Sequence, residues 1–122
     1  WSWLVEYGIP CAQPDGAFYL FPSFDRWRAP LATRGVHTSD DLAAYLLEHY
    51  QLATLPGTAF GAPAEQLSLR LATSYLDMET DDDAAAVLAA YRANPDPAAL
   101  MADHHPATQE ALSRLGEVVR SL

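Results

Sequence analysis

The alternating segment at residues 67–74, LSLRLATS, restricts the fold of this chain more than any other stretch. Its odd-numbered positions are Leu67, Leu69, Leu71 and Thr73, and its even-numbered positions are Ser68, Arg70, Ala72 and Ser74. Because successive side chains of a β-strand point to opposite faces, this pattern predicts a strand with a leucine face against a core and Arg70 on the other face. The residues two positions from Arg70 are small, so we expect an open hollow in front of its guanidinium.

An arginine held on a rigid strand is suited to binding a carboxylate. Its planar guanidinium presents parallel N–H groups that pair with both carboxylate oxygens, which the ammonium group of lysine does not do. A second interpretation stays open, in which Arg70 lies on the surface or pairs with a nearby Asp or Glu of the chain itself.

A glycine-bearing loop, PGTAFG at residues 56–61, precedes this strand. Its glycines lack a side chain and accept positive φ, so the loop allows close approach of the backbone. The short apolar segment at residues 51–55 predicts another strand leading into the loop. Phe60 either forms a wall of a pocket beside Arg70 or is a hydrophobic plug, and the sequence supports both.

Two extended segments, at residues 9–12 and 17–24, flank the turn formed by Pro14, Asp15 and Gly16, and they predict a hairpin-like reversal. The second segment is apolar on both faces, which is typical of a strand in the middle of a sheet or beneath a helix. Its Tyr19 is therefore expected in the packed core. Pro22 cannot donate to a strand ladder and marks where pairing ends.

Helices are predicted at both ends of the chain and in its middle. WSWLVEYG at residues 1–8 reads as the tail of a helix, and residues 25–36 read as a loop in which Trp27 stacks on its flanking arginines or seals an interface. Thr38 or Ser39 caps a helix with Leu42, Leu46 and Tyr50 on one face.

Two further helices are predicted beyond residue 76. One begins at the aspartates 81–83, whose carboxylates suit the positive end of a helix dipole. The other begins near Pro106 and has an apolar stripe formed by Leu112, Leu115, Val119 and Leu122. The histidines and the aspartate triplet lack the spacing of metal ligands, so no metal site is predicted.

Three segments carry a resemblance to a known family: PDGAFYLFPSFD at residues 14–25, SDDLAAYLLEHYQLATLPGTAFG at 39–61 and LSLRLATS at 67–74. In this order and spacing, the chain from about residue 8 to 76 resembles the C-terminal small domain of the class I/II aminotransferases, which are pyridoxal phosphate enzymes of fold type I. The resemblance implies an α/β fold of the α+β type, with a small, mainly antiparallel sheet and helices packed on one face. Residues 77–105 form a longer connection than this family leads us to expect.

The resemblance also implies a substrate site. In this family the arginine of the corresponding strand binds the α-carboxylate of the substrate, and Arg70 occupies that position. Phe60 would then help to wall the pocket, and Tyr19 is included as a candidate substrate contact despite its expected place in the core. The substrates would be an amino acid and a 2-oxo acid.

The basic residues set a limit on what the chain does alone. All seven residues counted as Lys+Arg are arginines, and there is no lysine. Pyridoxal phosphate enzymes hold their cofactor as an imine with a lysine amine, so we expect no catalytic residue and no covalently bound cofactor in this chain. Residues 1–122 are interpreted as a single domain, inactive by itself, of an enzyme whose large domain supplies pyridoxal 5'-phosphate and most of a homodimer interface.

Two alternatives stay open. The chain could be a free-standing, non-enzymatic domain that binds a carboxylate or a protein, or it could belong to a related enzyme that catalyses decarboxylation or side-chain elimination. The formal net charge of −9 argues against binding to nucleic acid or to an anionic membrane, which need clustered Lys and Arg. The single cysteine, Cys11, excludes an internal disulfide and favours a reducing, cytoplasmic location.

Overall fold

The computed structural model describes residues 1–122. Six α-helices, three short β-strands and two 3-10 helices follow one another along the chain. In order they are α1 (Ser2–Glu6), β1 (Tyr19–Leu20), a 3-10 helix (Asp25–Trp27), α2 (Arg28–Ala32), α3 (Ser39–Tyr50), β2 (Leu55–Pro56), a second 3-10 helix (Gly57–Phe60), β3 (Leu69–Ala72), α4 (Asp81–Ala93), α5 (Pro97–His104) and α6 (Pro106–Ser121). No helix combines the length and the apolar character needed to cross a bilayer.

The three strands form one antiparallel sheet in the order β1, β3, β2. The strand predicted from the leucine alternation is therefore the central one. In its register, Tyr19 of β1 lies opposite Ala72, and Leu55 of β2 lies opposite Arg70. The predicted mixed fold with a small antiparallel sheet is confirmed.

The core lies between the leucine face of the central strand and helices α3 and α6. Leu67 and Leu69 are completely buried, whereas Leu71 is partly buried and Thr73 is exposed. The eleven buried hydrophobic residues are Leu4, Ile9, Phe24, Leu31, Val36, Leu42, Leu46, Leu67, Leu69, Leu115 and Val118. The leucine face is thus covered where β3 begins and opens toward its end.

Helix α3 begins as its sequence predicts. The Thr38 hydroxyl accepts a hydrogen bond from the backbone N–H of Asp41, and the Asp41 carboxylate accepts one from the N–H of Thr38. This reciprocal capping box satisfies two backbone donors that a helix start leaves unpaired. Helix α4 begins with the same arrangement between Thr80 and Asp83, which gives the aspartate triplet a structural role.

The predicted hairpin around Pro14 does not form. Strand β1 contains only Tyr19 and Leu20, and it pairs with β3 across the sequence rather than with residues 9–12. It is an edge strand, so of the two predicted alternatives, the middle of a sheet or a place beneath a helix, the first is wrong. The cause is a shortage of ladder donors, because Pro10, Pro14 and Pro22 have no N–H, and proline is tolerated in sheets only at edges and strand ends.

The segment predicted as a loop at residues 25–36 contains a 3-10 helix and α2. Pro30 is compatible with α2 because it is the third helical residue, where a backbone N–H has no partner inside the helix. Between α3 and β2, the predicted strand at residues 51–55 is reduced to its last residue and Pro56. Gln51 instead closes α3 with a φ of 55°, in the left-handed region.

The C-terminal part contains one helix more than predicted. Pro97 opens α5, and Pro106 opens α6, each in the first helical turn. The carboxylate of Asp77 accepts hydrogen bonds from the N–H groups of Ala107 and Thr108, at 2.7 and 3.0 Å, and from the Thr108 hydroxyl, at 2.6 Å. The start of α6 is therefore joined to the point where the chain leaves the sheet.

Candidate functional site

The guanidinium of Arg70 lies between two aromatic rings. Its central carbon is 4.2 Å from the ring centroid of Tyr19 and 4.2 Å from that of Phe60. A guanidinium over the face of an aromatic ring is attracted by the negative charge of the π-system. The three residues named from the sequence as a substrate site are thus brought together in one cluster.

Each residue of this cluster comes from a different element. Arg70 is held on the central strand, Tyr19 on the neighbouring edge strand, and Phe60 at the end of the 3-10 turn that follows β2. Tyr19 is 43% exposed and Phe60 is 45% exposed, so the prediction that Tyr19 lies in the packed core is wrong. On a short edge strand the tyrosine ring is free to leave the core and cover the arginine.

The hollow expected in front of Arg70 is not open. The Tyr19 and Phe60 rings lie against the guanidinium, and Ser68, which was expected to border the hollow, is only 5% exposed. Ser68 packs against Gly57, where a Cβ atom would overlap its hydroxyl oxygen. The small residue at position 68 therefore allows the glycine turn to approach β3, which the alternation pattern alone does not reveal.

No acidic side chain pairs with Arg70. The ion pairs of the chain join Arg28 to Asp25, His105 to Asp77 and Arg114 to Glu110, and none involves Arg70. Its guanidinium makes no side-chain hydrogen bond either, in contrast to Arg34, which bonds to Tyr45 and Ser121. The interpretation in which Arg70 pairs with an Asp or Glu of its own chain is wrong.

This arrangement leaves the edge of the guanidinium available. Two aromatic rings lie against it, whereas its five N–H groups, which lie in its plane, have no acidic partner in the chain. A carboxylate that approaches in this plane can accept two parallel hydrogen bonds. The cluster can therefore bind one carboxylate in a defined orientation.

The turn that carries Phe60 is fixed at several points. The N–H of Gly57 donates to the carbonyl of Ser68 at 2.9 Å, and Gly61 ends the turn with a φ of 83°, a conformation that glycine adopts without strain. Phe21 packs edge-on against Phe60, with ring centroids 6.2 Å apart. Sequence reasoning missed Phe21, and the only signal for it was its alternation with Tyr19 along the same segment.

Three carboxyl groups elsewhere, those of Asp25, Asp41 and Asp77, have pKa values that hydrogen bonds lower. Burial raises the pKa of Asp25, but hydrogen bonds from the N–H of Leu67 and the hydroxyl of Ser23, together with the charge of Arg28, outweigh it and lower the pKa. Burial also raises the pKa of Asp77, but hydrogen bonds from Thr108 and Ala107 and the charge of His105 outweigh it and lower the pKa. No group of three or more His, Cys, Asp or Glu side chains is placed to hold a metal ion.

A separate groove of about 770 Å³ runs between the sheet and helices α5 and α6. Tyr19 forms part of its wall, but Arg70 and Phe60 do not. Its other walls are mainly apolar, and the buried hydroxyl of Thr54 has no hydrogen-bond partner there. The groove adds apolar surface beside the arginine cluster, but it adds no charged side chain that indicates a catalytic or binding role.

Comparison with known proteins places the chain among relatives that are several times longer. The family model described as "Aminotransferase class I and II" matches residues 2–88. An aspartate aminotransferase of Geobacillus stearothermophilus is 44% identical over 73 residues, which are 60% of this chain and 18% of that protein. An aspartate aminotransferase of Bacillus subtilis (strain 168) is 39% identical over 72 residues, which are 58% of this chain and 17% of that protein.

Solved structures give the same result for the fold. The structure of an aromatic aminotransferase from Pyrococcus horikoshii OT3 superimposes with a TM-score of 0.56 and 27% identity, over 99% of this chain and 22% of that one. The chain spans less than a fifth of the length of the two curated relatives above. Since the family model matches well over half of its residues, the chain belongs to the class I and II aminotransferase family.

Proposed function

We propose that residues 1–122 form the C-terminal small domain of a pyridoxal phosphate-dependent aminotransferase, called here the complete enzyme, in which Arg70 binds the α-carboxylate of the substrate. The observation that supports this most directly is the state of Arg70. Its guanidinium lies 4.2 Å from the ring centroids of both Tyr19 and Phe60 and has no acidic partner. A charged, preorganised donor without an intramolecular acceptor is suited to an anionic ligand.

The reaction that fits the family is transfer of an amino group between an amino acid and a 2-oxo acid. Both substrates carry a carboxylate next to the reacting carbon, so one arginine serves both halves of the reaction. Fixing this carboxylate by two bonds restricts the rotation of the substrate, and such positioning contributes several kcal/mol to lowering a barrier. Tyr19 and Phe60 would border the site and hold the guanidinium of Arg70 in one orientation.

The residues of this chain do not fit covalent attachment of pyridoxal phosphate. The cofactor supplies an aldehyde that condenses with amines and a ring that withdraws electrons, and the enzymes that use it hold it through a lysine. The cationic side chains that the structure places around the sheet are all arginines, because the chain has no lysine. We therefore assign cofactor attachment and the proton transfers of catalysis to the rest of the complete enzyme, and we expect the isolated chain to be inactive.

Exposed apolar side chains support the proposal that this chain is part of a larger protein. Large apolar side chains stay exposed around the arginine cluster and the N-terminus: Trp1, Val5, Phe18, Tyr19, Phe21 and Phe60. Exposed apolar side chains in such numbers fit an interface or a ligand site. We assign it to contact with the large domain and substrate, in an enzyme that is a cytoplasmic homodimer.

Replacement of Arg70 in the complete enzyme tests the proposal. We expect Arg70→Ala to raise the KM for the amino acid by about 100-fold, since a charged hydrogen-bonded pair contributes roughly 3 kcal/mol, while the absorbance of the bound cofactor stays unchanged. Arg70→Lys should recover only part of the affinity because it lacks the two-bond geometry. Arg92→Ala, at an exposed position on α4, is the matched control for loss of one positive charge. Unchanged kinetics in Arg70→Ala would remove the assignment.

The same enzyme distinguishes transamination from related reactions. When an amino acid and a 2-oxo acid are supplied together, transamination yields the exchanged pair without release of carbon dioxide or ammonia. Detection of carbon dioxide or of free ammonia as the main product would instead assign the chain to a decarboxylase or a lyase that shares this domain.

A further inference from the structure

The turn that carries Phe60 is fastened to the N-terminus of α3 by side chains. The hydroxyl of Thr58 donates to a carboxylate oxygen of Asp40 at 2.7 Å, and the N–H of Thr58 donates to the hydroxyl of Ser39 at 3.4 Å. Ser39 is completely buried, and its own N–H donates to the carbonyl of Ala64 at 2.9 Å. The first turn of α3 therefore holds the glycine turn at its beginning and again just after its end.

Thr58 and Phe60 belong to the same single turn of 3-10 helix, Gly57–Phe60. A helix of one turn has few internal hydrogen bonds, so contacts outside it decide how it is oriented. The Phe60 ring is 45% exposed, and its aromatic neighbour is the edge of Phe21. Because the core does not enclose this ring, its place over Arg70 depends on how the turn is fastened.

We propose that Thr58 and Asp40 are positioning residues for carboxylate recognition by Arg70. Their hydrogen bond holds the turn so that Phe60 covers one face of the guanidinium, which keeps the N–H edge directed outward. Neither residue contacts the ligand. The inference rests on the proposed function of Arg70 and extends it to two polar residues on the far side of the glycine turn.

A purely structural role predicts a different result. Asp40 also lies in the first turn of α3, where a negative charge stabilises the helix dipole, so its loss lowers stability whatever the state of Arg70. Such a loss changes the unfolding curve of the chain. It does not move the Phe60 ring away from the guanidinium in molecules that remain folded.

Proton NMR of the isotope-labelled, 122-residue chain separates the two roles. Side-chain protons of Arg70 lie over the faces of two aromatic rings, so ring currents shift their resonances upfield without any ligand. We expect Thr58→Val and Asp40→Ala to move these resonances downfield. Thr58→Ser and Asp40→Asn should keep them in place, because each retains a donor or an acceptor. Thr33→Val is the matched control, since it removes an exposed threonine hydroxyl that donates to Pro30 at 2.7 Å in another part of the chain.

The second measurement uses the kinetics of the complete enzyme. Loss of one hydrogen bond of ordinary strength should raise the KM for the amino acid about two- to tenfold in Thr58→Val, with kcat unchanged and with recovery in Thr58→Ser. Circular dichroism verifies that each variant is folded. If Thr58→Val does not fold, Asp40→Ala tests the same bond from the side of the helix.

Retention of the upfield Arg70 resonances in folded Thr58→Val or Asp40→Ala would overturn the inference. Failure of the proposed function gives a different pattern. In that case the resonances move as expected, but Arg70→Ala leaves the KM at the wild-type value. That pattern would overturn the carboxylate role and still support the positioning of Arg70 by Thr58.

Discussion

Ser68 and Gly57 touch so closely that the hydroxyl of the serine occupies the space a Cβ on the glycine would need. The same pair is joined by a backbone hydrogen bond of 2.9 Å from the N–H of Gly57 to the carbonyl of Ser68. The Ser68 hydroxyl itself has no hydrogen-bond partner although it is buried. This contact holds the glycine turn against the central strand, with Ser68 two residues before Arg70 and Gly57 three residues before Phe60.

We expect Gly57→Ala to lower the free energy of unfolding by about 1–3 kcal/mol, the usual cost of overpacking. Ser68→Ala should be close to neutral, because it removes a buried hydroxyl that has no partner. The double variant should recover part of the loss, since the overlapping oxygen is gone. Urea unfolding of the four proteins gives the coupling between the two sites. An equal cost of Gly57→Ala in both backgrounds would contradict the contact.

The aromatic rings over Arg70 should matter as rings and not through the tyrosine hydroxyl. In the complete enzyme, Tyr19→Leu and Phe60→Leu should each raise the KM for the amino acid about two- to fivefold, the effect of one exposed cation–π contact. Tyr19→Phe should match the wild type, because it keeps the ring. Steady-state kinetics of the three variants provide the measurement, and a loss in Tyr19→Phe equal to that in Tyr19→Leu would show that the hydroxyl matters instead.

Leu46 gives a direct test of the core. It is completely buried on α3, so Leu46→Ala should cost about 2–5 kcal/mol through lost burial and a residual cavity. The adjacent Leu47 is 55% exposed, and Leu47→Ala should stay within about 0.5 kcal/mol of the wild type. Chemical unfolding of the two variants side by side measures both. Equal effects would mean that the helix face toward the sheet is assigned wrongly.

Asp77 should make the start of α6 sensitive to acid. Burial raises the pKa of this carboxyl, but its hydrogen bonds from Thr108 and Ala107 and the nearby His105 lower it below the ordinary value of 3.8. A pKa that is lower in the folded state gives a contribution to stability that is present above the unfolded pKa and is lost as the pH falls through the folded pKa. The stability difference between the wild type and Asp77→Asn should therefore shrink as the pH falls below about 4.

Urea unfolding at a series of pH values tests this dependence. Asp103→Asn is the matched control, since Asp103 is exposed on α5 and forms no ion pair or side-chain hydrogen bond. The series runs from about pH 3 to about pH 7, which brackets the ordinary Asp pKa of about 3.9. If the free energies of unfolding of the wild type and Asp77→Asn differ by the same amount over this whole range, the account is contradicted.

The sequence predicted those elements whose signals are local. The leucine alternation around Arg70 located the central strand, and a capping residue, Thr38 or Ser39, located the start of α3, because a strand period and a helix cap both depend on residues a few positions apart. The family resemblance then brought Arg70, Tyr19 and Phe60 into one hypothesis. Each of these inferences required only short-range pattern or known spacing.

The parts that were not predicted depend on contacts between distant segments. Tyr19 could be assigned to the core from its apolar neighbours, but its true place was decided by pairing with Ala72, more than fifty positions along the chain. The small size of Ser68 suggested a hollow beside Arg70, whereas in the structure it allows Gly57 to pack closely against the central strand. The bond between Thr58 and Asp40 has no sequence signature, because exposed threonine and aspartate are common on any surface.

The attachment of α6 to Asp77 has a consequence for the architecture of this domain. The carboxylate of Asp77, just after the chain leaves the sheet, accepts hydrogen bonds from the first turn of α6. The segment between Asp77 and α6 therefore begins and ends at the same place. Helices α4 and α5 make up most of this segment, and its removal would leave Asp77 and the start of α6 in place. We therefore expect a change in the length of this segment to leave in place the strand that holds Arg70.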